Sequence, residues 1–513
     1  MKLPPKSVHP EGERNLAQKT DYELDTYNGK LHVAWDEDAQ VTPLGQLSFF
    51  IQYMKMGNLF EPFVSDCPLE YKSNNAPTKT DVLGSILLSV LSGHTRYSHI
   101  ATLQSDNVNA ELLGMNKIVS DDSARRGLKK IDKSLGVDWL RKHLNYCYAP
   151  LLDTPWILDT DVTIKPLYGN QEGAVVGYNP KKPGRPSHTY HTYMIANLRL
   201  VLDVEVMPGN TGQSSHSLPG LLELLDSLPP EKRPKFTRGD CDWGNDTVIK
   251  EFEARNYHYL FKLKKSKYVK TLITQNHSSS GWVYYKDGYE AKEAEIKLKS
   301  WDTSRRVIIV RKSLNKSSSM ALEYKQDDQL QLAFVDSDED FKAYEYSVLI
   351  TNLDSEVITI VQHYRDRVDC ENVFDEIKNQ WGWGGFTTKD FKSCRLITRI
   401  IALIYNWWSL FVRLLNPTDK HIEAITSRPL LLSSIGRITK TGRQKRMLLT
   451  SMHGKFQSLK NGCDSLVTFF DNLKRNAPQL SPKQRWVAML KRAMSAFELK
   501  FQPPNYNSLP LLT

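Results

Sequence analysis

Apolar residues recur at helical spacing over residues 44–56 and 81–93, and the runs stop at glycines, Gly57 and Gly93. Downstream, Ser120 or Asp121 can cap a helix carrying Arg125, Arg126, Lys129 and Lys130, with basic residues four apart on one face. At Trp156 the period changes to that of strands. Residues 154–169, 191–200 and 200–209 are rich in Ile, Val, Leu and Thr, with a turn at Asn197-Leu198. An amphipathic helix (216–228), a short strand ending in acidic residues (235–244), a helix (245–256) and a strand (257–265) follow. Residues 265–343 contain strand-like pieces at 281–298, 304–313 and 330–337 between polar turns. Residues 344–353 return to strand, one long helix is expected over 355–379, and from Trp381 to about residue 500 the pattern is helical and basic. The most apolar run, residues 400–412, lies between Arg399 and Arg413 and includes Asn406 and Ser409. It is too short to cross a bilayer, and predicts a buried core helix and no membrane partner.

Three strands, then helix, strand, helix, strand is the order of a ribonuclease-H-like core, a fold-level analogy that by itself carries no chemistry. The expected class is α/β: such a core interrupted by a β-rich insertion, with helical N-terminal and C-terminal regions. The expected divisions are an irregular segment at 1–40, a helical DNA-binding region at 41–150, the first part of the catalytic domain at 151–264, the insertion at 265–343, the second part at 344–415 and a basic helical region at 416–513.

Length and composition change this picture little. A chain of 513 residues with 40% hydrophobic and 25% charged residues is ordinary globular material, too long for one compact domain. Charge adds more. The net charge is +10, but residues 391–500 alone carry +15, while residues 1–370 carry −3. A basic segment of that length suits a polyanion, with nucleic acid the default candidate, though a solvated surface fits the charge equally well. Within it, Arg437, Lys440, Arg443, Lys445 and Arg446 are expected to supply nonspecific affinity for duplex DNA. Six scattered cysteines without a CxxC pair, and an N-terminus without an apolar signal core, predict a reducing compartment: the cytoplasm, and the nucleoid when DNA is bound.

The 355–379 helix carries the most specific pattern. Tyr364, Arg367, Glu371 and Lys378 stand at offsets of 3, 7 and 14 from the tyrosine, which places them within roughly a 60° arc of an ideal helix. Such a stripe suits a phosphate backbone beside a metal ion, since Arg forks onto phosphate, Lys adds a point charge, Tyr donates a hydrogen bond and Glu ligates. An i, i+4 surface pair between Arg367 and Glu371 fits the spacing as well. Two divalent ions need further shared carboxylates. Asp159 and Asp161 lie in the first core strand, where i and i+2 share a face, so the strand pattern does not choose between them. Asp240 and Asp242 close the strand at 235–244, with a turn role available to Asp242 ahead of Trp243-Gly244. Ser313-Leu314-Asn315-Lys316 with Lys440-Thr441-Gly442 mimics penicillin-binding motifs, and His188 with His191 mimics a metal pair; both are read as coincidence.

The spacing Tyr-x2-Arg-x3-Glu-x6-Lys at Tyr364, Arg367, Glu371 and Lys378, with Asp161-Val162-Thr163 and Arg238-Gly239-Asp240, resembles the IS4-type DDE transposases, in particular their IS1380-like branch. The resemblance covers about residues 115–415. It implies that Asp161, Asp240 and Glu371 are catalytic and hold two Mg²⁺ ions, with Mn²⁺ as a substitute. It implies that Tyr364, Arg367 and Lys378 place the DNA end; Arg125 and Arg126 are a further expected DNA contact. The implied activity is cut-and-paste transposition of an insertion sequence at its terminal inverted repeats, on double-stranded transposon ends and target DNA, by a homodimer in the DNA complex. Two other readings share these residues: a domesticated or degraded copy that binds DNA without cutting, and a metal-dependent endonuclease without strand transfer.

Overall fold

A computed structural model describes residues 22–36, 38–313, 344–417, 420–451 and 454–498. Helices precede the main sheet: α1 (Leu47–Met56), α2 (Phe60–Ser65), α3 (Lys79–Leu91), α4 (Asn107–Leu112), α5 (Asp121–Lys130) and α6 (Lys133–Tyr148). Before them stand the hairpin β1 (Tyr22–Thr26) and β2 (Gly29–Val33), in a segment expected to be irregular, and the short strand β3 (Val41–Thr42).

The sheet begins with β4 (Ile157–Pro166), β5 (Val175–Val176), β6 (Pro186–Ile195) and β7 (Leu200–Pro208), in which β6 pairs antiparallel with each of the other three and lies between β4 and β7. Helix α7 (Gln213–Ser227) then crosses to β8 (Phe236–Gly239), which lies parallel to β4 on the side away from β6. Helix α8 (Asp246–Ala254) leads on to β9 (Tyr259–Lys262), parallel to β8. Parallel neighbours require such crossovers, and the helices supplying them cover the sheet.

The segment at 265–343 does not stand apart from this sheet. After α9 (Lys267–His277), strands β10 (Val283–Tyr284), β11 (Tyr289–Ile296) and β12 (Arg305–Ser313) extend it, because β12 pairs along β13 (Tyr344–Thr351), which in turn pairs with β9. The order across the sheet is β10-β11-β12-β13-β9-β8-β4-β6, with β7 beyond. The strand expected at 330–337 lies outside the described residues.

One helix was expected over 355–379; there are two, α10 (Val357–Arg365) and α11 (Val368–Gln380). Between them Asp366 and Arg367 form a tightened turn in which the Arg367 amide bonds to the Tyr364 carbonyl, three residues back. Helix α12 (Phe391–Leu415) follows and is buried along almost its whole length, the 400–412 run included. Among the described residues no helix is long and apolar enough to cross a membrane. The rest comprises α13 (Ala424–Leu431), a hairpin of β14 (Gly436–Thr441) and β15 (Gln444–Leu449), then α14 (Phe456–Asn476) and α15 (Pro482–Glu498). The hairpin corrects the expectation of helix throughout this region.

A single hydrophobic cluster joins α1, α3 and α6 to one face of the sheet and to α12, α14 and α15. Trp486 of α15 stands 5.9 Å from the Tyr53 ring of α1, and Trp408 of α12 stands 5.4 Å from Phe50. The terminal helical regions are therefore parts of one core. A smaller cluster on the other sheet face, built from Phe236, Leu260, Ile308, Val310 and Leu349, seats α10 through Ile360 and Val361.

Candidate active site

Strand β4 presents two carboxylates, and their surroundings separate them. Asp159 is 0% exposed and takes a two-point hydrogen bond from the Arg238 guanidinium, Nε to Oδ1 at 2.5 Å and Nη2 to Oδ2 at 2.7 Å. The third arm of Arg238 donates to the His363 carbonyl of α10. A buried carboxylate without such a partner would cost several kcal/mol, so the pair is structural and Asp159 is committed to it. Asp161, two residues on, opens into a cleft of about 500 Å³. Burial raises its pKa, partly opposed by the nearby Arg367 guanidinium.

Asp240 follows the last residue of β8, beside β4. Gly239 has no room for a side chain, since a Cβ there would stand 2.7 Å from the Trp243 ring, and at Gly244 a Cβ would meet the Lys262 carbonyl at 2.2 Å. These two glycines let the chain turn closely behind Asp240. Its carboxylate accepts from the Asp242 amide at 2.9 Å and lines the same cleft. Burial first, and the Asp161 charge second, push the Asp240 pKa up from 3.8 to about 6. Asp242 points elsewhere and pairs with Lys264 at 2.7 Å.

Helix α11 supplies Glu371 in its first turn, with a side chain 59% exposed at the cleft. Arg367 joins the acids. Its side chain is only 8% exposed, with Nη2 at 3.0 Å from Asp161 Oδ2 and Nη1 at 3.1 Å from Glu371 Oε1. It is neither a solvent-facing phosphate fork nor an exposed surface pair: the tightened turn before α11 carries it inward. Tyr364 lines the cleft from α10, with its hydroxyl pKa raised by burial.

The other expected contacts do not meet here. Lys378 is half-buried, away from the cleft lining, and donates to the Ile164 carbonyl near the far end of β4 at 3.3 Å. On α5, capped by Ser120, Arg125 pairs with Asp121 at 2.9 Å and with Asp122 of its own helix, and Arg126 pairs with Asp122 at 3.4 Å. His188 bonds to the Glu172 carbonyl, whereas His191 meets Thr189 and Ser217, so the two histidines share no site. Leu314, Asn315 and Lys316 lie outside the described residues, and Lys440-Thr441-Gly442 runs into the β14–β15 turn.

Sequence reasoning missed the basic residues of the cleft and Glu345, which stands opposite Lys312 in the sheet. Lys262 of β9, Lys312 of β12 and Arg365 of α10 line the cleft, with Arg365 stacked 4.0 Å from the Tyr289 ring of β11. The signal available was the two-residue alternation of β12, in which Val310 and Lys312 share a face.

Asp161, Asp240 and Glu371, with Glu345 also in the lining, offer the hard oxygen donors that Mg²⁺ or Mn²⁺ takes. The raised pKa of Asp240, caused in part by Asp161, is the mutual repulsion that a cation would relieve. Among the described residues, however, no three His, Cys, Asp or Glu side chains converge closely enough to hold an ion. Arg367 stands between two of the acids and offsets one of their two charges.

The sequence matches the family model described as transposase DDE domain group 1 over residues 76–468, a span that contains Asp161, Asp240 and Glu371. Among solved structures the chain is similar to a piggyBac transposase, in a cryo-EM structure of its synaptic complex with hairpin DNA. The identity is 12%, covering 91% of this chain and 87% of that chain, with a TM-score of 0.41. No curated protein matches the sequence.

Proposed function

The chain belongs to the transposase DDE domain group 1 family, and we propose that it moves an insertion sequence of the IS4 type by cutting DNA at terminal inverted repeats and joining the ends to target DNA. The observation carrying this reading is that Asp161, Asp240 and Glu371 come from three separate elements, β4, the end of β8 and α11, to one cleft that Lys262, Lys312 and Arg365 also line, together with Glu345. The strand order β7-β6-β4-β8-β9, with the first three antiparallel and the last two parallel to β4, supports a ribonuclease-H-like core.

In this reading Asp161, Asp240 and Glu371 hold divalent ions. Those ions, when bound, supply charge stabilisation to the attacking water or 3′-hydroxyl and to the leaving oxygen. Lys262, Lys312 and Arg365 attract and orient the phosphate backbone, which positions DNA without reading its sequence. Tyr364 walls the cleft beside the acids. The direct test is incubation of the full-length protein with a terminal-repeat duplex and Mg²⁺, with products sized on a denaturing gel. Nicked and joined products support transposition. A DNA-binding copy that does not cut is the second reading, favoured by the position of Arg367 between Asp161 and Glu371; binding without any product would select it.

Arg367 gives a sharper test. Because its guanidinium competes with a cation for Asp161 and Glu371, Arg367→Ala is expected to tighten Mg²⁺ binding severalfold in calorimetry while lowering cleavage. Arg367→Lys, a single point charge that cannot fork onto both carboxylates, should fall between wild type and Ala in ion affinity. Weaker ion binding by Arg367→Ala would show that the guanidinium organises the acids and does not compete for them.

The Asp240 pKa sets a pH dependence. A proton on this carboxyl must leave before a cation binds, so ion affinity should fall as pH drops through about 6 and level off above it. Calorimetry in buffers of different ionisation heat should count close to one proton released per binding event below about pH 6 and none near neutrality. The ion-free fold follows the opposite course. A carboxyl whose folded pKa exceeds its unfolded value contributes stability at low pH, and that contribution is lost as pH rises from 3.8 to about 6.

A further inference from the structure

The β14–β15 hairpin is embedded in the fold only at its base. Only its first two residues are held by another strand, with Gly436 opposite Thr42 and Arg437 opposite Val41 of β3. The remainder projects as a two-stranded ribbon closed at Gly442, whose φ of +60° suits glycine in the tight turn. Residues 436–449 contain five cations, Arg437, Lys440, Arg443, Lys445 and Arg446, and no carboxylate.

The register divides the ribbon into two unlike faces. Ile438 lies opposite Met447, and Lys440 lies opposite Lys445. On this inner face Ile438 is buried, and Lys445 pairs with Glu111 at the end of α4. The outer face carries Arg437 opposite Leu448, Thr439 opposite Arg446 and Thr441 opposite Gln444. All of these are exposed except Thr439, which is partly so. The outer face is therefore made of the side chains that hydrogen-bond to base edges, Arg, Gln and Thr, with Leu448 and the Thr439 methyl available to a thymine methyl.

From this partition we propose that the outer face of the ribbon enters the major groove of duplex DNA and reads base edges, with Arg443 in the exposed turn facing phosphate while Lys440 and Lys445 stay turned to Glu111. The proposal rests on the reading of the protein as a DNA-acting enzyme, and gives these cations a sequence-reading role beyond nonspecific attraction. Size agrees: six residues of strand span about 20 Å, and a two-stranded ribbon fits a groove about 12 Å wide. Charge selects DNA over a second copy of the chain. The free edge of β15 could pair with another strand, but two ribbons of like charge repel, a usual protection of exposed edges.

The test is selection. Full-length protein is mixed with duplexes carrying a randomised central segment, bound duplexes are sequenced, and affinity for the unselected pool is followed against salt. Wild type should enrich a base preference. Arg446→Lys, which keeps the charge but loses the planar fork, and Gln444→Ala should each lower discrimination at one or two positions by at least about tenfold, with pool-wide affinity within about threefold. Arg443→Ala should keep the preference, weaken binding to every sequence and flatten the log–log salt slope by up to about 0.9 for the lost phosphate contact. An unchanged preference in both Arg446→Lys and Gln444→Ala overturns the proposal. So does a preference unchanged by variants that instead lower the mass of the DNA-free protein in light scattering, which would make the ribbon an interface between copies. If Mg²⁺-dependent cleavage of a terminal-repeat duplex persists in these cases, only the ribbon reading falls; if wild type binds no duplex at all, the proposed function falls with it.

Discussion

Asp161→Asn, Asp240→Asn and Glu371→Gln are each expected to lower Mg²⁺-dependent DNA cleavage at least about a thousandfold, with duplex affinity in the absence of the ion nearly unchanged. Each substitution replaces a charged oxygen donor by an amide of the same size, so the loss is one of charge and ligation and not of packing. Removing several kcal/mol of transition-state charge stabilisation corresponds to that factor, at about 1.36 kcal/mol per decade of rate. The three positions differ in a way that the test can read. Glu371 is exposed and its loss should leave stability untouched, whereas Asp161→Asn breaks a pair with the buried Arg367 guanidinium and should also lower the melting temperature. Cleavage at the wild-type rate by any one variant would remove that residue from the site.

Asp159→Ala and Arg238→Ala are expected to destabilise the fold, each by about 3–5 kcal/mol, because each leaves the other charge buried and unpaired. The pair is among the most enclosed in the structure, with side chains 0% and 3% exposed, and through the His363 carbonyl it ties β4 and β8 to α10. Paired replacement by apolar residues of similar volume, Asp159→Leu with Arg238→Met, should cost less than either single change, since no uncompensated charge remains. Urea unfolding of the four proteins measures this. Asp159→Asn separates structure from chemistry: it should lower the melting temperature yet retain cleavage below that temperature. A variant that melts like wild type but cleaves nothing would show that Asp159, and not Asp161, serves the reaction.

Much of the molecule was legible along the chain. The order of strands and helices from β6 to β9 and the buried run in α12 follow from local spacing, because side-chain direction in a helix or strand is set by position within the repeat. The family resemblance rested on the same local spacing. Several expectations failed where partners lie far apart in sequence. Strand period cannot choose between Asp159 and Asp161, which share a face; the choice is made by Arg238, 79 residues away, which occupies one and leaves the other to the cleft. Helical spacing placed Arg367 on one stripe with Tyr364 and Glu371; in the structure its guanidinium is buried against Asp161 and the Thr160 carbonyl, the latter 207 residues away, and the helix divides at that point. Lys378 keeps its place in the helical spacing and loses the cleft, because the stripe runs past the acids toward the end of β4. Pairing of β12 with β13 likewise merged an expected insertion into the sheet, and no local pattern announces which strand edge will be filled. The sequence alone determined which residues could carry charge to a common face. The tertiary structure decided which of those charges are sealed in the core and which open to the cleft, because burial and ion pairing depend on groups brought together by packing and not by proximity along the chain.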